Sequence, residues 1–202
     1  MINLYVLNSL PSLGEMGDQT SIERINLCSE CNILEENIHA FSYKFASWNG
    51  QDLIEVAGNY FFVSERVKIE LEKHVNGTLE FFKINKEKTD YFKIGKKAYQ
   101  KEIPTFYKLE IKKRLDGPEI WWEREAKCPK CSRDKWNITL DGIGSSINDD
   151  DYVPRKVYKN TWNGEMIFKL QDPGQPIVTQ EFLDIVNSVT DQKIELREAE
   201  WV

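Results

Sequence analysis

The sequence predicts an α+β fold in which two pseudo-repeated strand–helix–strand halves, with a mixed or antiparallel sheet, are joined by paired cysteines. Three observations support this prediction. The motif Trp-Asn-Gly occurs at 48–50 and again at 162–164, an apolar strand and a short amphipathic helix follow each copy, and a Cys-x-x-Cys pair precedes each copy. Such a duplication predicts a single compact domain, 1–202, made of two related halves (about 28–84 and 128–199) with a β insertion at 85–127.

In each half, an apolar strand ends at a hydroxyl residue that suits the start of a helix. The strand ends at Val63 or Val178, and the next residue, Ser64 or Thr179, can cap the helix with its side-chain oxygen. Apolar residues then recur at helical spacing, which predicts that the helix follows at once. These residues are Val67, Leu71 and His74-Val75 in the first half, and Phe182, Val186 and Val189 in the second.

Turn-forming residues predict where the remaining elements begin and end. The helices are expected to end at Asn76-Gly77 and at Asp191-Gln192, and strands are expected over 79–84 and 193–197. Between the halves, residues 105–112 predict another strand, which the turn at 116–118 stops. Segment 142–151 is rich in Gly, Ser, Asn and Asp, and therefore predicts a mobile loop.

The four cysteines predict one metal site. They lie in two pairs, Cys28/Cys31 and Cys128/Cys131, with 96 residues between the pairs. Four thiolates satisfy tetrahedral Zn²⁺, and a two-residue spacer lets a tight turn direct two sulfurs at one ion. We therefore expect a structural zinc. The alternatives are two separate redox dithiols, or four buried thiols that never meet.

Composition and charge limit the partners and the compartment. Hydrophobic residues make up 41% of the chain and charged residues 30%, as in a globular protein, and the net charge is −6. A negative chain argues against nucleic acid and favours a basic partner. The segment Met1–Leu7 lacks a basic run, and no later segment approaches about 20 apolar residues. We therefore expect no membrane association and a reducing, cytoplasmic location.

Catalytic patterns are absent from the sequence, so we expect no enzyme. Neither histidine, His39 or His74, stands in a known catalytic motif. The segment Cys128-Pro129-Lys130-Cys131 is similar to thioredoxin-like redox motifs, but residues 136–140 behind it predict a strand, whereas such motifs open a helix. A thiol–disulfide oxidoreductase and a zinc-ribbon nucleic-acid-binding module are the alternative functions.

The motifs together resemble the double-CXXCG immunity proteins of bacterial polymorphic-toxin systems. We call each Cys-x-x-Cys pair with its turn a knuckle. The resemblance consists of the two knuckles, the Trp-x-Gly-x-x-Ile-Phe stretch at 162–168 and the Val-Thr-x-x-Phe helix start at 178–182. In addition, Val-Ser-Glu-Arg at 63–66 is similar to the helix start of related immunity families. In the family a glycine follows the second cysteine of each pair, whereas this chain has Asn32 and Ser132 at those positions. It also departs at Met166, where an acidic residue is expected; Asp52 occupies the like place in the first half.

The resemblance implies a non-enzymatic cytoplasmic protein that binds and neutralises a cognate protein toxin. If that toxin is basic, exposed carboxylates would steer the encounter. The candidate partner-binding residues are Asp149, Asp150 and Asp151.

Overall fold

The computed structural model describes residues 2–31, 33–56, 60–74, 77–87, 103–147 and 149–202. Within these ranges the chain forms strands and three short α-helices, so the prediction of a mixed α+β fold is confirmed. The helices are α1 (Glu65–Glu72), α2 (Leu140–Ile147) and α3 (Gln180–Asn187). The strands are β1 (Leu4–Ser9), β2 (Gly14–Met16), β3 (Ser21–Cys28), β4 (Ile33–Ala40), β5 (Ser42–Phe45), β6 (Leu53–Val56), β7 (Tyr60–Ser64), β8 (Leu79–Lys83), β9 (Asn85–Glu87), β10 (Phe106–Ile111), β11 (Arg114–Leu115), β12 (Trp122–Arg124), β13 (Trp136–Ile138), β14 (Arg155–Val157), β15 (Ile167–Leu170), β16 (Ile177–Thr179) and β17 (Glu195–Trp201).

Two sheets hold most of these strands. One is four-stranded and antiparallel, in the order β6-β7-β10-β8. The other is six-stranded, in the order β11-β15-β16-β1-β17-β14, and its inner strands β15-β16-β1-β17 are also antiparallel. In the four-stranded sheet, the hairpin β6-β7 leads directly into α1, and β10 lies between β7 and β8. In the six-stranded sheet, the hairpin β15-β16 leads directly into α3, and β1 lies between β16 and β17.

The two Trp-Asn-Gly segments form turns with the same hydrogen bonds. Trp48 Nε1 donates to Gln51 O and Trp162 Nε1 donates to Glu165 O, both at 2.8 Å. The glycine of each turn has φ +95°, a left-handed conformation that L side chains rarely adopt. Each turn therefore introduces its hairpin in the same way.

The two helix starts differ although both carry a hydroxyl. Thr179 caps α3 as predicted, because its Oγ1 accepts a hydrogen bond from Phe182 N at 3.4 Å. Ser64 precedes α1 but makes no capping bond, so that prediction is wrong: its hydroxyl donates to Asp52 Oδ1 at 2.6 Å. Thr179 also donates its hydroxyl, to Met166 O at 3.3 Å, so the two residues differ only in whether the oxygen accepts from the helix.

Both helices also end earlier than the turn residues predict. Helix α1 ends at Glu72 and α3 at Asn187, each after eight residues. Gly77 does adopt a positive φ of +73°, but it lies beyond the helix end. Val75 and Asn76 lie outside the described residues.

A shared core joins the two sheets. Buried residues of α1 and α3 pack against the inward faces of both sheets in one hydrophobic cluster. A second cluster lies between the four-stranded sheet and a small sheet of order β2-β5-β9, where Phe62 meets Phe41 and Tyr43 edge to face. Within the described residues, no helix is long and apolar enough to cross a membrane.

The prediction of a loop at 142–151 is wrong, because α2 occupies Leu140–Ile147 and a 3-10 turn follows at Asp149–Asp151. Thr139 starts the helix, since its Oγ1 accepts from Gly142 N at 3.1 Å. Gly142 lies directly on the backbone of Trp121, and a Cβ there would come within 2.3 Å of the Trp121 carbonyl oxygen. Tertiary packing therefore selects a helix that local propensity opposes.

Candidate metal centre

Two β ribbons carry the four cysteines. Strands β3 and β4 pair antiparallel, and Cys28 and Cys31 lie at the turn between them. Strands β12 and β13 pair antiparallel too, and Cys128 and Cys131 lie in the segment that connects them. Each pair thus lies at the end of a ribbon, and the fold brings the two ribbon ends together.

The four sulfur atoms form one cluster. All lie within 4.8 Å of one another, and the cysteine pairs that are closest across the ribbons are Cys28–Cys128, with sulfurs 3.7 Å apart, and Cys31–Cys131, with sulfurs 3.5 Å apart. A disulfide would require about 2.05 Å, and none of the four cysteines forms one. The predicted convergence of the two knuckles is therefore confirmed: the four thiols meet at one point, and the two pairs do not lie at separate places in the fold.

The cluster has dimensions that suit a tetrahedral metal. With metal–sulfur bonds of about 2.3 Å, tetrahedral geometry places sulfurs about 3.8 Å apart, close to the distances between ribbons. Cys28 and Cys128 are buried, whereas Cys31 and Cys131 are partly exposed. Four soft donors enclosing one point, with one side open to solvent, could hold a metal ion.

Backbone N–H groups of each knuckle favour the thiolate form. For Cys28, the N–H of Cys31 is the main cause that lowers the pKa from 9.0 to about 6, against the opposing effect of burial. For Cys128, the N–H groups of Cys131 and Lys130 lower the pKa in the same way. Metal binding requires deprotonated thiols, so both turns reduce the cost of forming a ligand.

The second knuckle is held by its own backbone. Cys128 N donates to Arg133 O at 2.9 Å, and Ser132 N donates to Cys128 O at 2.8 Å. Ser132 has φ +57°, and is the one non-glycine residue with a positive φ in the described part of the chain. The knuckle therefore needs a left-handed residue after its second cysteine, a position where glycine fits without strain. Asn32, at the like place in the first knuckle, lies outside the described residues.

A side-chain contact also connects the knuckles. Lys130 Nζ donates to Ser29 Oγ at 2.7 Å. This hydrogen bond places a cation beside the turn of the first knuckle.

No family model matches the chain, and no curated protein matches it either.

The histidines and the aspartate run singled out in the sequence lie outside the group of four cysteines. His39 Nε2 is 3.4 Å from Glu23 Oε2, and His74 Nε2 is 3.7 Å from Glu70 Oε1; both histidines are exposed. Asp149, Asp150 and Asp151 form the 3-10 turn that follows α2, and the second and third of these are exposed.

A buried polar cluster at Asp52 was only partly visible in the sequence. Asp52 accepts hydrogen bonds from Ser64, Arg66 and Thr190, of which the Thr190 hydroxyl is 2.5 Å from Oδ2. Burial acts to raise the pKa of this carboxyl, but the three donors outweigh it and hold the pKa below its usual 3.8. The like position in the second half, Met166, is an apolar member of the shared core.

Gln192 adds a second long-range connection to this part of the fold. Its Oε1 accepts from the N–H groups of Asp52 and Leu53 at 2.7 and 2.8 Å, and its Nε2 donates to Leu53 O at 2.8 Å. The side chain therefore satisfies the edge of β6 as a neighbouring strand would. Sequence analysis read Gln192 as a helix end, because a partner 139 residues away leaves no local signal.

Proposed function

We propose that this protein is a zinc-stabilised immunity protein that binds and neutralises a cognate bacterial toxin. The observation that carries the proposal is the convergence of two remote Cys-x-x-Cys knuckles on one point, with all sulfurs within 4.8 Å. The resemblance of the motifs to double-CXXCG immunity proteins supplies the functional class. Catalysis plays no part in the proposal, and the protein acts by occupying a surface of the toxin.

Zinc is the metal we propose for the site. Four thiolates in a tetrahedral arrangement suit Zn²⁺, which needs no redox partner and contributes directly to folding. Structural zinc contributes about 10–16 kcal/mol in small zinc modules, which is comparable to the whole stability of a domain, about 5–15 kcal/mol. Cys28, Cys31, Cys128 and Cys131 would hold the ion and fix the two ribbons relative to each other.

We also propose that the chain is a single domain of two related halves. Support comes from the antiparallel strand orders β6-β7-β10-β8 and β15-β16-β1-β17, in which α1 and α3 follow the second strand. The matching Trp-Asn-Gly turns and the cluster that packs both halves together add to this support. In this scheme the metal would join the halves a second time, outside their common core.

The proposed mechanism of neutralisation is steric and electrostatic. The chain carries 33 acidic and 27 basic residues, which suits a basic toxin. Complementary charge accelerates encounter, while a few apolar anchors supply affinity. A rigid scaffold lowers the entropic cost of binding, which is the role we assign to the metal. We place the protein in the cytoplasm, where reduced thiols can hold the ion.

Co-purification from the native host tests this function. The protein should retain a basic protein, preferably the product of an adjacent open reading frame, whose toxicity in a heterologous cell is abolished when this chain is expressed with it. Failure of the chain to protect such a cell contradicts the proposal. Binding to DNA or RNA that weakens steeply with salt would instead favour the zinc-ribbon alternative. Disulfide exchange activity of the purified protein would favour the oxidoreductase.

A further inference from the structure

Helix α2 is amphipathic, but it exposes large apolar side chains to solvent and turns small residues toward the protein. Its inner side carries small residues, since Gly142 lies on the Trp121 backbone and Ser145 is fully buried. Its outer side carries Leu140 and Ile143, three residues apart and therefore on one face. Leu140 is 86% exposed and Ile143 is 40% exposed.

Ile138, at the end of β13, precedes the helix and is 40% exposed. Its Cγ1 lies against the inner side of α2, 2.9 Å from where a Cβ on Gly142 would stand. Single exposed apolar residues are ordinary on proteins, but adjacent ones on a helix that faces outward indicate an interaction site. We call Leu140 and Ile143 the α2 surface.

Hydrogen bonds to Ser145 fix α2 to the rest of the fold. Ser145 Oγ accepts from Val153 N at 2.9 Å, and Arg197 Nη1 donates to Ser145 O at 2.5 Å. Trp121 Nε1 donates to Val153 O at 2.7 Å and so ties the strand segment beneath the helix to the chain that follows it. A surface built on such support is ordered before a partner arrives, which reduces the cost of binding.

The charge around the α2 surface selects the partner. Segment 139–154 contains four aspartates, of which Asp141, Asp150 and Asp151 are exposed. Arg197 also reaches the helix, where it donates to Ser145 O, so the four aspartates outnumber this one cation from β17. A second copy of this chain would bring the same acidic surface against itself, since the contacts of a two-fold dimer are self-complementary. An anionic membrane would be repelled for the same reason.

We infer that the α2 surface docks a basic partner protein that presents apolar side chains among lysines and arginines. Leu140 and Ile143 would enter the partner as anchors, and the surrounding aspartates would pair with its cations at the rim. This inference deepens the proposed function by assigning the face that a basic toxin would contact.

The test uses a defined probe, because the natural partner is not needed to examine the surface. A synthetic helical peptide of leucine and lysine is titrated into the isotopically labelled, zinc-loaded chain, with a leucine–glutamate peptide as the comparison. We expect the cationic peptide to shift the amide resonances of 138–152, with weaker binding at higher salt, and the anionic peptide to shift none of them.

Two matched substitutions make the test specific. Leu140→Glu is expected to weaken the cationic peptide by about thirtyfold, as loss of an interface hot spot does. Ile69→Glu, which changes an equally apolar helix residue that is 51% exposed on α1, is expected to change the affinity by no more than about twofold. Shifts that lie elsewhere, or equal effects of the two substitutions, would overturn the inference.

The outcomes also separate this inference from the proposed function. If the toxin binds wild-type chain and the Leu140→Glu variant equally, the α2 surface is wrong while the immunity function stands. If the cationic peptide docks on α2 but the chain protects no cell, the surface stands and the immunity function falls. Concentration-dependent dimerisation in sedimentation that Leu140→Glu abolishes would show that a second copy is the occupant, and would overturn the inference.

Discussion

Removing one whole knuckle, by the double substitution Cys28→Ser/Cys31→Ser, should strongly destabilise the folded protein. Cys28 and Cys128 are 100 residues apart in sequence, and their sulfurs are 3.7 Å apart in the fold. Any ion shared by the two knuckles therefore closes a long loop. The double substitution opens that loop even if Cys128 and Cys131 still bind a metal ion, because the first knuckle no longer supplies a ligand.

The size of the effect follows from the loop. Closing about 100 residues restricts the unfolded chain by about 4.7 kcal/mol in the chain-entropy treatment of cross-links. For a chain of this size each kcal/mol shifts the melting temperature by about 2–4 °C, so the expected fall is about 10–20 °C. The strong chelation of a tetrathiolate site would make the true loss greater rather than smaller.

The assay is thermal unfolding with zinc content measured on the same samples. Wild-type protein should hold one equivalent of zinc, and a chelator should lower its melting temperature to that of the variant. The chelator should have no effect on the variant itself. Ser29→Ala is the matched control, because Ser29 lies in the same turn and provides only the oxygen that Lys130 contacts. A zinc-free variant that melts with the wild type would refute the reasoning.

Three further changes test individual features. Ser132→Gly should raise the free energy of unfolding by about 0.5–1 kcal/mol, because glycine adopts the left-handed conformation without strain but loses more entropy on folding; lower stability in urea would contradict this. The lowered pKa of Asp52 contributes stability above pH 3.8 that is lost as pH falls through its folded pKa, so the lead of wild type over Asp52→Asn should shrink in acid. The free energies of unfolding of the two proteins are measured in denaturant from pH 7 to pH 2.5. If they differ by the same amount at every pH, the lowering of the Asp52 pKa is absent. Gly142→Ala should cost about 1–3 kcal/mol, since its Cβ would lie 2.3 Å from the Trp121 oxygen. Gly144→Ala should instead add about 0.5–1 kcal/mol, since its Cβ would meet nothing closer than 3.5 Å; equal melting temperatures for the two variants would count against this packing.

The paired helix starts show how far local reasoning extends. Ser64 and Thr179 precede helices of equal length, and both have extended backbone dihedrals that suit a cap. Thr179 caps its helix, whereas the Ser64 hydroxyl donates to Asp52 and makes no bond to the helix. The position of each helix start was predictable from residue type, but the hydrogen-bond partner of the Ser64 hydroxyl is Asp52, across the hairpin.

Helix α2 shows the opposite failure. Its glycines, serines and aspartates are poor helix formers, so composition favoured a loop. Leu140, Ile143 and Ile147 recur at helical spacing, which was a helical signal in the segment. The structure exposes Leu140 and Ile143 to solvent instead of burying them in the core. The inner contacts that form this helix, from Gly142 to Trp121 and from Ser145 to Val153, connect different elements and have no local pattern.

The sequence by itself determined the pairing of the cysteines, the junctions where β7 and β16 lead into helices, and the mixed α+β character. These features depend on residues within a few positions of each other, where spacing and backbone preference suffice. The tertiary structure decided that the sulfurs meet within 4.8 Å, that β1 lies between β16 and β17, and that α2 exposes its leucine. Each of these depends on groups tens to hundreds of residues apart, whose contact is set by burial of a common core rather than by any local preference.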